Sequence, residues 1–172
     1  EVTDNQMTDV TALENLTKLE SLNLGNNQLT ELPKGLEKLT QLQNALLLWK
    51  NQLTSVKGLE NLTQLEHLSL YENQLTDVKG LENLTQLKNL NLHSNQLTSV
   101  KGLENLTQLK EMNLGSNPLT NVKGLEKLTQ LTSLSIINNP DPDLTKAQIT
   151  KAQIDELQKA LPNCNIYSNP TK

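Results

Sequence analysis

Apolar and polar residues alternate in short bursts along this chain, and the bursts return at a fixed interval. Residues 65–86 read LEHLSLYENQLTDVKGLENLTQ, residues 87–108 LKNLNLHSNQLTSVKGLENLTQ and residues 109–130 LKEMNLGSNPLTNVKGLEKLTQ, three units of 22 residues. Two earlier units, 19–41 and 42–64, each carry one extra residue, near Pro33 in the first and around Ala45 in the second. A partial unit, 1–18, precedes them, and another begins at Leu131. Such a period describes stacked units, none of which can bury its apolar side alone. In each unit the x-L-x-L segment alternates with period two, which predicts a short strand with its leucines facing inward. Asn27, Asn51, Asn73, Asn95, Asn117 and Asn139 follow where the chain must leave that strand. Their carboxamides can satisfy backbone groups of the turn and of the next coil, so they predict a buried structural ladder. Gly35, Gly58, Gly80, Gly102 and Gly124 allow the tight return on the outer side.

The pattern L-x-x-L-x-L-x-x-N-x-L is the leucine-rich repeat signature, and it recurs over roughly 80% of the chain, from Val2 to about Asn139. The sub-type resembles the short 22-residue repeats of bacterial internalin-like proteins and of the leucine-rich regulators of eukaryotic protein phosphatase. The stretch NQLTDVKGLENLTQLKNLNL matches their strand, turn, short 3₁₀ segment and return. The resemblance implies an α/β repeat fold: a right-handed leucine-rich repeat solenoid with a parallel β-sheet on its concave side and 3₁₀ or irregular structure on the convex side. It also implies that another macromolecule binds on the concave side, typically a host receptor in the internalin-like branch. Leu and Val replace much of the Ile usual in internalins, and their N-terminal helical cap and following immunoglobulin-like region are not found in these 172 residues. The partner's identity therefore does not carry over.

The repeat pattern stops at PDPD, after Asn139. The next stretch, LTKAQITKAQIDELQKAL, predicts a helix over about 145–161, with Thr145 or Thr150 as N-cap, Gln148 or Gln153 three residues later, and Pro162 ending it. Ala147, Ala152, Leu157, Ala160 and Leu161 would form its apolar side. Asn165, Ile166 and Tyr167 predict a last short strand, at about 164–167. The chain thus divides into repeats (1–139) and a helix–strand cap (140–172) that hides the open end of the core. Closely similar tails (AQIDELQKALPNCNI) end many bacterial leucine-rich repeat proteins. At the front, Val2 aligns with the second strand leucine and Asn5 with the ladder asparagine. The expectation is a protein that continues upstream and is a monomer, the alternative being one that pairs through this uncapped end.

Composition narrows the function. Among 172 residues are 38 Leu and 22 Asn, but no Phe, no Arg and a single Trp, so one small space is filled with leucine again and again. A net charge of -4 without arginine argues against phosphate or nucleic-acid binding. No apolar run of about 18 residues is present to span a membrane. The lone Cys164 supports neither an internal disulfide nor a cysteine metal cluster, and reads as a small buried packing residue. Measured against a calcium-binding loop from Asp141, the sixth position is Lys146 and the twelfth Ala152, so the required Gly and Glu are missing. The N-L-T sequons at Asn15, Asn61, Asn83 and Asn105 recur because the repeat recurs. Lys57, Lys79, Lys101 and Lys123 form one file of like charge and Glu60, Glu82, Glu104 and Glu126 another, a solvated outer face that contributes little stability.

The three regular units differ from one another at three of positions nine to 22 but at six of positions one to eight. Variation therefore concentrates where strand side chains point away from the leucines. The residue after the second strand leucine is Gly25, Trp49, Tyr71, His93, Gly115 and Ile137 in turn. With strands about 5 Å apart, Trp49, Tyr71 and His93 should form an exposed ring ladder on the concave face. Leu47, His67, Lys50, Glu72, Asn91, Ser94 and Glu111 fall beside them. Aromatic rings supply large contact area at little entropic cost, which suits partner anchors; cross-strand packing is the alternative role. His67 and His93 lie about 13 Å apart along the strand direction, too far to share an ion, and no Ser or Cys nucleophile accompanies them. The expectation is a non-catalytic protein-binding module without metal or cofactor, bacterial, and secreted or on the cell surface. The alternatives are a cytoplasmic regulator docking an enzyme such as a phosphatase, and a structural spacer within a longer protein.

Overall fold

The computed structural model describes residues 15–16, 18–137 and 149–169. Each alternating burst forms one three-residue strand: β1 Ser21–Asn23, β2 Ala45–Leu47, β3 His67–Ser69, β4 Asn89–Asn91, β5 Glu111–Asn113 and β6 Ser133–Ser135. With β7, Asn165–Tyr167, they make a seven-stranded parallel sheet in sequence order. The central residue of each strand points inward, so Leu22, Leu46, Leu68, Leu90, Met112 and Leu134 form one buried row. Leu24, Leu48, Leu70, Leu92 and Leu114 form the next, fully buried. Uniform leucine packing works here because every coil offers its neighbour the same hole.

The register locates both extra residues. Leu22 pairs with Leu46, a step of 24, whereas Leu46 pairs with Leu68, a step of 22. Both insertions thus precede Leu46. In the regular coils one carbonyl serves two donors: Glu66 O accepts from Lys88 N and Asn89 N at 2.8 and 3.1 Å. In the coil before β2, Gln43 O accepts from Glu66 N at 2.8 Å and Asn44 O from His67 N at 3.0 Å. Two residues stand opposite one, which is a β-bulge at Gln43–Asn44, beside the position expected around Ala45.

The asparagine ladder holds the coils together. Asn51 Nδ2 donates to Leu48 O of its own coil at 3.1 Å and to Leu24 O of the preceding coil at 3.0 Å. Its Oδ1 accepts from Leu29 N at 3.0 Å. Asn73, Asn95 and Asn117 repeat both inter-coil bonds. Asn27 is also buried, while Val2, Asn5 and Asn139 lie outside the described residues.

On the convex side the glutamate file does more than carry solvated charge. Gly58, Gly80, Gly102 and Gly124, at φ from 103 to 112°, each donate their N–H to the glutamate two residues on, at 2.6–2.7 Å. Those carboxylates close the return turn. GLEK sequences form 3₁₀ helices, Leu36–Lys38 and Leu125–Lys127, whereas GLEN sequences form only turns. Lysine is the better helix former and asparagine the better turn former.

The tail helix α1 spans Lys151–Ala160, shorter than expected, with Thr150 as N-cap and a capping box to Gln153. Thr145, Gln148, Ala147 and the PDPD segment lie outside the described residues. Leu157 and Leu161 are buried, as expected, but Ala152 and Ala160 are exposed. The covering side is completed by Ile154 and by Ile149 just ahead of the cap, both partly buried against the core. Gln158 Nε2 donates to Leu161 O and Cys164 O at 3.0 and 3.1 Å and shapes the turn into β7. Cys164 is buried, and burial pushes its thiol pKa up.

Candidate functional site

Opposite the leucines, the concave face is a grid. Its first row is Ser21, Ala45, His67, Asn89, Glu111, Ser133 and Asn165. Its second is Asn23, Leu47, Ser69, Asn91, Asn113, Ser135 and Tyr167. The third row follows the strands: Gly25, Trp49, Tyr71, His93, Gly115 and Ile137. Its register is fixed by bonds from Asn26 N to Trp49 O, Lys50 N to Tyr71 O, Glu72 N to His93 O, Ser94 N to Gly115 O and Ser116 N to Ile137 O, all 2.8–2.9 Å.

Trp49 and Tyr71 stack with ring centroids 5.7 Å apart and planes 5° from parallel. The rings are half-buried, which corrects the expectation of an exposed ladder. Gly25 explains this, since a Cβ there would meet Trp49 Cε2 at 2.2 Å: the indole lies flat over the glycine. His93 is half-buried too, and a Cβ on Gly115 would meet its Nδ1 at 3.1 Å. That Nδ1 is buried and lacks a hydrogen-bond partner. Gly25 therefore seats the indole, which a side chain there would displace, whereas a Cβ on Gly115 would meet the Ile137 carbonyl first, at 2.9 Å, and only crowd the imidazole.

The flanking residues divide into two kinds. Leu47, His67, Asn91 and Glu111 stand on the grid, whereas Lys50, Glu72 and Ser94 edge it at the turn, with φ of 51, 54 and 53°. Left-handed backbone at these non-glycine residues was not expected from the sequence. Asn91 Oδ1 accepts from His93 N at 3.0 Å, as Asn113 Oδ1 does from Gly115 N and Asn23 Oδ1 from Gly25 N. Glu111 Oε2 accepts from Asn89 Nδ2 at 2.8 Å. At the start of the strands Lys88 pairs with Glu66 at 2.6 Å, and that ammonium hydrogen bond holds the Glu66 carboxyl below its usual range. Along the second row runs a depression of ≈ 470 Å³, with Leu47 at one end and Tyr167 at the other.

Sequence reasoning missed Tyr167 as a concave residue, together with the floor residues Ser69, Asn113 and Ser135. Carrying the alternation into the last strand would have placed Tyr167 beside Ser135, where the register has it. Tyr167 is 54% exposed and Ile137 37%. Among the described residues no group of three or more His, Cys, Asp or Glu could hold a metal ion, and no helix is long and apolar enough to cross a membrane.

A coiled parallel sheet, an asparagine ladder and a leucine core define the class, and sequence comparison agrees. The family model for Leucine Rich repeats (2 copies) matches residues 2–44, 40–83 and 63–105, so the chain belongs to the leucine-rich repeat family. Its fold is close to that of bacterial internalins. An internalin (inlF) from Listeria monocytogenes is 33% identical, with a TM-score of 0.82 over 97% of this chain and 46% of that one. An internalin C2 (inlC2) from the same organism is 28% identical, with a TM-score of 0.84 over 98% of this chain and 70% of that one. The leucine-rich repeat protein LIC12759 of Leptospira interrogans is 29% identical, with a TM-score of 0.68 over 94% and 46%. The chain thus spans about half the length of the first of these. No curated protein matches it significantly by sequence.

Proposed function

We propose that this chain is a non-catalytic protein-interaction module that holds a macromolecular partner on its concave face, in a bacterial protein that is exported or displayed at the cell surface. The observation that carries this reading is the Trp49–Tyr71 stack on the variable side of the sheet. Rings fixed before contact lose little freedom on binding. Trp49, Tyr71 and His93 are the anchors. Leu47, His67, Lys50, Glu72, Asn91, Ser94 and Glu111 are the surrounding contacts. The likeness to internalins, which extends over nearly the whole chain, supports an outward-facing location and a host surface protein as partner.

The test compares the wild-type chain with Trp49→Ala/Tyr71→Ala for capture of surface-labelled host-cell proteins, with circular dichroism monitoring the fold. Loss of two aromatic anchors should weaken binding by about 2–4 kcal/mol, roughly 30- to 1,000-fold. Equal affinity of a folded double variant would overturn the placement.

A further inference from the structure

The concave face carries two apolar clusters, with a polar floor between them whose hydrogen-bonding polarity is fixed. At one end Leu47 and Trp49 of the second coil adjoin Tyr71 of the third. At the other, Ile137 lies at the end of the β6 strand and Tyr167 on β7, both exposed. Between the cluster centres lie about four strand spacings, or roughly 20 Å. Ser69, Asn91, Asn113 and Ser135 fill the row between Leu47 and Tyr167. The Oδ1 atoms of Asn91 and Asn113 are each held at 3.0 Å by the N–H two residues on. Each carboxamide must then turn its Nδ2 the other way, so the floor offers N–H donors.

Resting on the concave-face reading above, we infer that the partner presents an extended segment that crosses the strands. Two of its apolar side chains, six residues apart, seat against the two clusters, and acceptor side chains between them meet Asn91 and Asn113. The spacing selects this geometry. Six extended residues cover about 20 Å, and with period two the first and seventh side chains share a face with the third and fifth. The trough selects a slender occupant. It runs in a line across the strands, floored by Ser69, Asn91, Asn113 and Ser135 between Leu47 and Tyr167, as an extended chain would. Acceptor side chains (Asp, Asn, Ser or Thr) at the third and fifth positions complement the floor.

The probe is a displayed library of random 12-residue peptides selected on the full chain. Enriched peptides should share two apolar residues six apart, with an acceptor side chain at the second or fourth position after the first. Their affinity, followed by calorimetry, should fall at least 10-fold with Tyr167→Ala and separately with Asn91→Asp/Asn113→Asp. The latter pair keeps the oxygen that accepts the turn N–H and replaces each outward donor by a charged acceptor, which inverts the polarity of the floor. A library without binders, helical spacing in the enriched peptides, or indifference to Asn91→Asp/Asn113→Asp would overturn the inference. Peptides weakened by Trp49→Ala/Tyr71→Ala but not by Tyr167→Ala would overturn the two-cluster geometry alone and leave the concave binding face standing. Binders indifferent to every concave substitution would remove both.

Discussion

At the scale of single residues, repetition turns small preferences into structure. Asn73 supplies donors to Leu48 O and Leu70 O and accepts from Leu53 N, all inside the stack. Asn73→Ala strands a buried N–H and two carbonyls, so stability should fall by about 2–4 kcal/mol. Urea unfolding checks this, with a lower midpoint at unchanged slope. The residues edging the concave face behave in the opposite sense. Lys50, Glu72 and Ser94 hold φ near +50°, a region that costs an ordinary L-residue about 1–2 kcal/mol. They stay there because their N–H groups must reach Tyr71 O, His93 O and Gly115 O. Asn26 fills the same slot with the residue type that tolerates it. Glu72→Asn should therefore stabilise the fold by about 0.5–1 kcal/mol, read as a higher unfolding midpoint. With Glu72 among the proposed partner contacts, the same variant should bind more weakly while melting later, which separates strain kept for binding from mere tolerance.

At the scale of the elements, the return turns are closed by carboxylates, and that makes them sensitive to acid. The Glu60 carboxyl is held below its usual range by its own N–H and by that of Gly58, and Glu104 likewise by its own N–H and that of Gly102. A carboxyl with a lowered folded pKa contributes its full stability above the unfolded value and loses it as pH falls through the folded one. Thermal midpoints should thus drop as pH falls below the ordinary glutamate range, and Glu60→Gln/Glu104→Gln should flatten that dependence. A double variant with an unchanged acid slope would show that the turns do not need the charge. These hooks also show what the sequence could convey. Strand, ladder and leucine core were legible because alternation and the recurring Asn act locally and repeat in every coil. The glutamate hook was not, because a charged file looks the same whether it is solvated or bonded to a backbone N–H. The bulge was legible in number but not in place, since a count cannot tell Gln43–Asn44 from Ala45. In the candidate site the ring row could be read off, but the burial of the indole depended on Gly25, a residue that shows no side chain to interpret. Tyr167 was hidden by the break in period before the last strand.

At the scale of the whole molecule, each coil touches only its neighbours, so cooperativity has to pass through the middle of the stack. Trp49 reports on the second coil, and α1 with β7 closes the far end. Leu92 lies between them, fully buried behind β4. Leu92→Ala opens a hole that uniform leucine neighbours cannot refill, at a cost of about 2–5 kcal/mol. The same residue type removed near the start, as in Leu36→Ala, weakens one end but leaves the remaining interfaces continuous. In the wild type, Trp49 fluorescence and the helical circular dichroism signal of α1 should therefore unfold at one denaturant concentration, as one cooperative unit. With Leu92→Ala the two midpoints should separate, because the coil that couples the halves has become the weakest link. With Leu36→Ala both should shift while the Trp49 transition leads. Coincident transitions in Leu92→Ala would mean that coupling does not pass coil by coil. A concave surface anchored at both ends depends on that coupling, because a partner spanning the second to the seventh strand binds tightly only when the coils between them hold register.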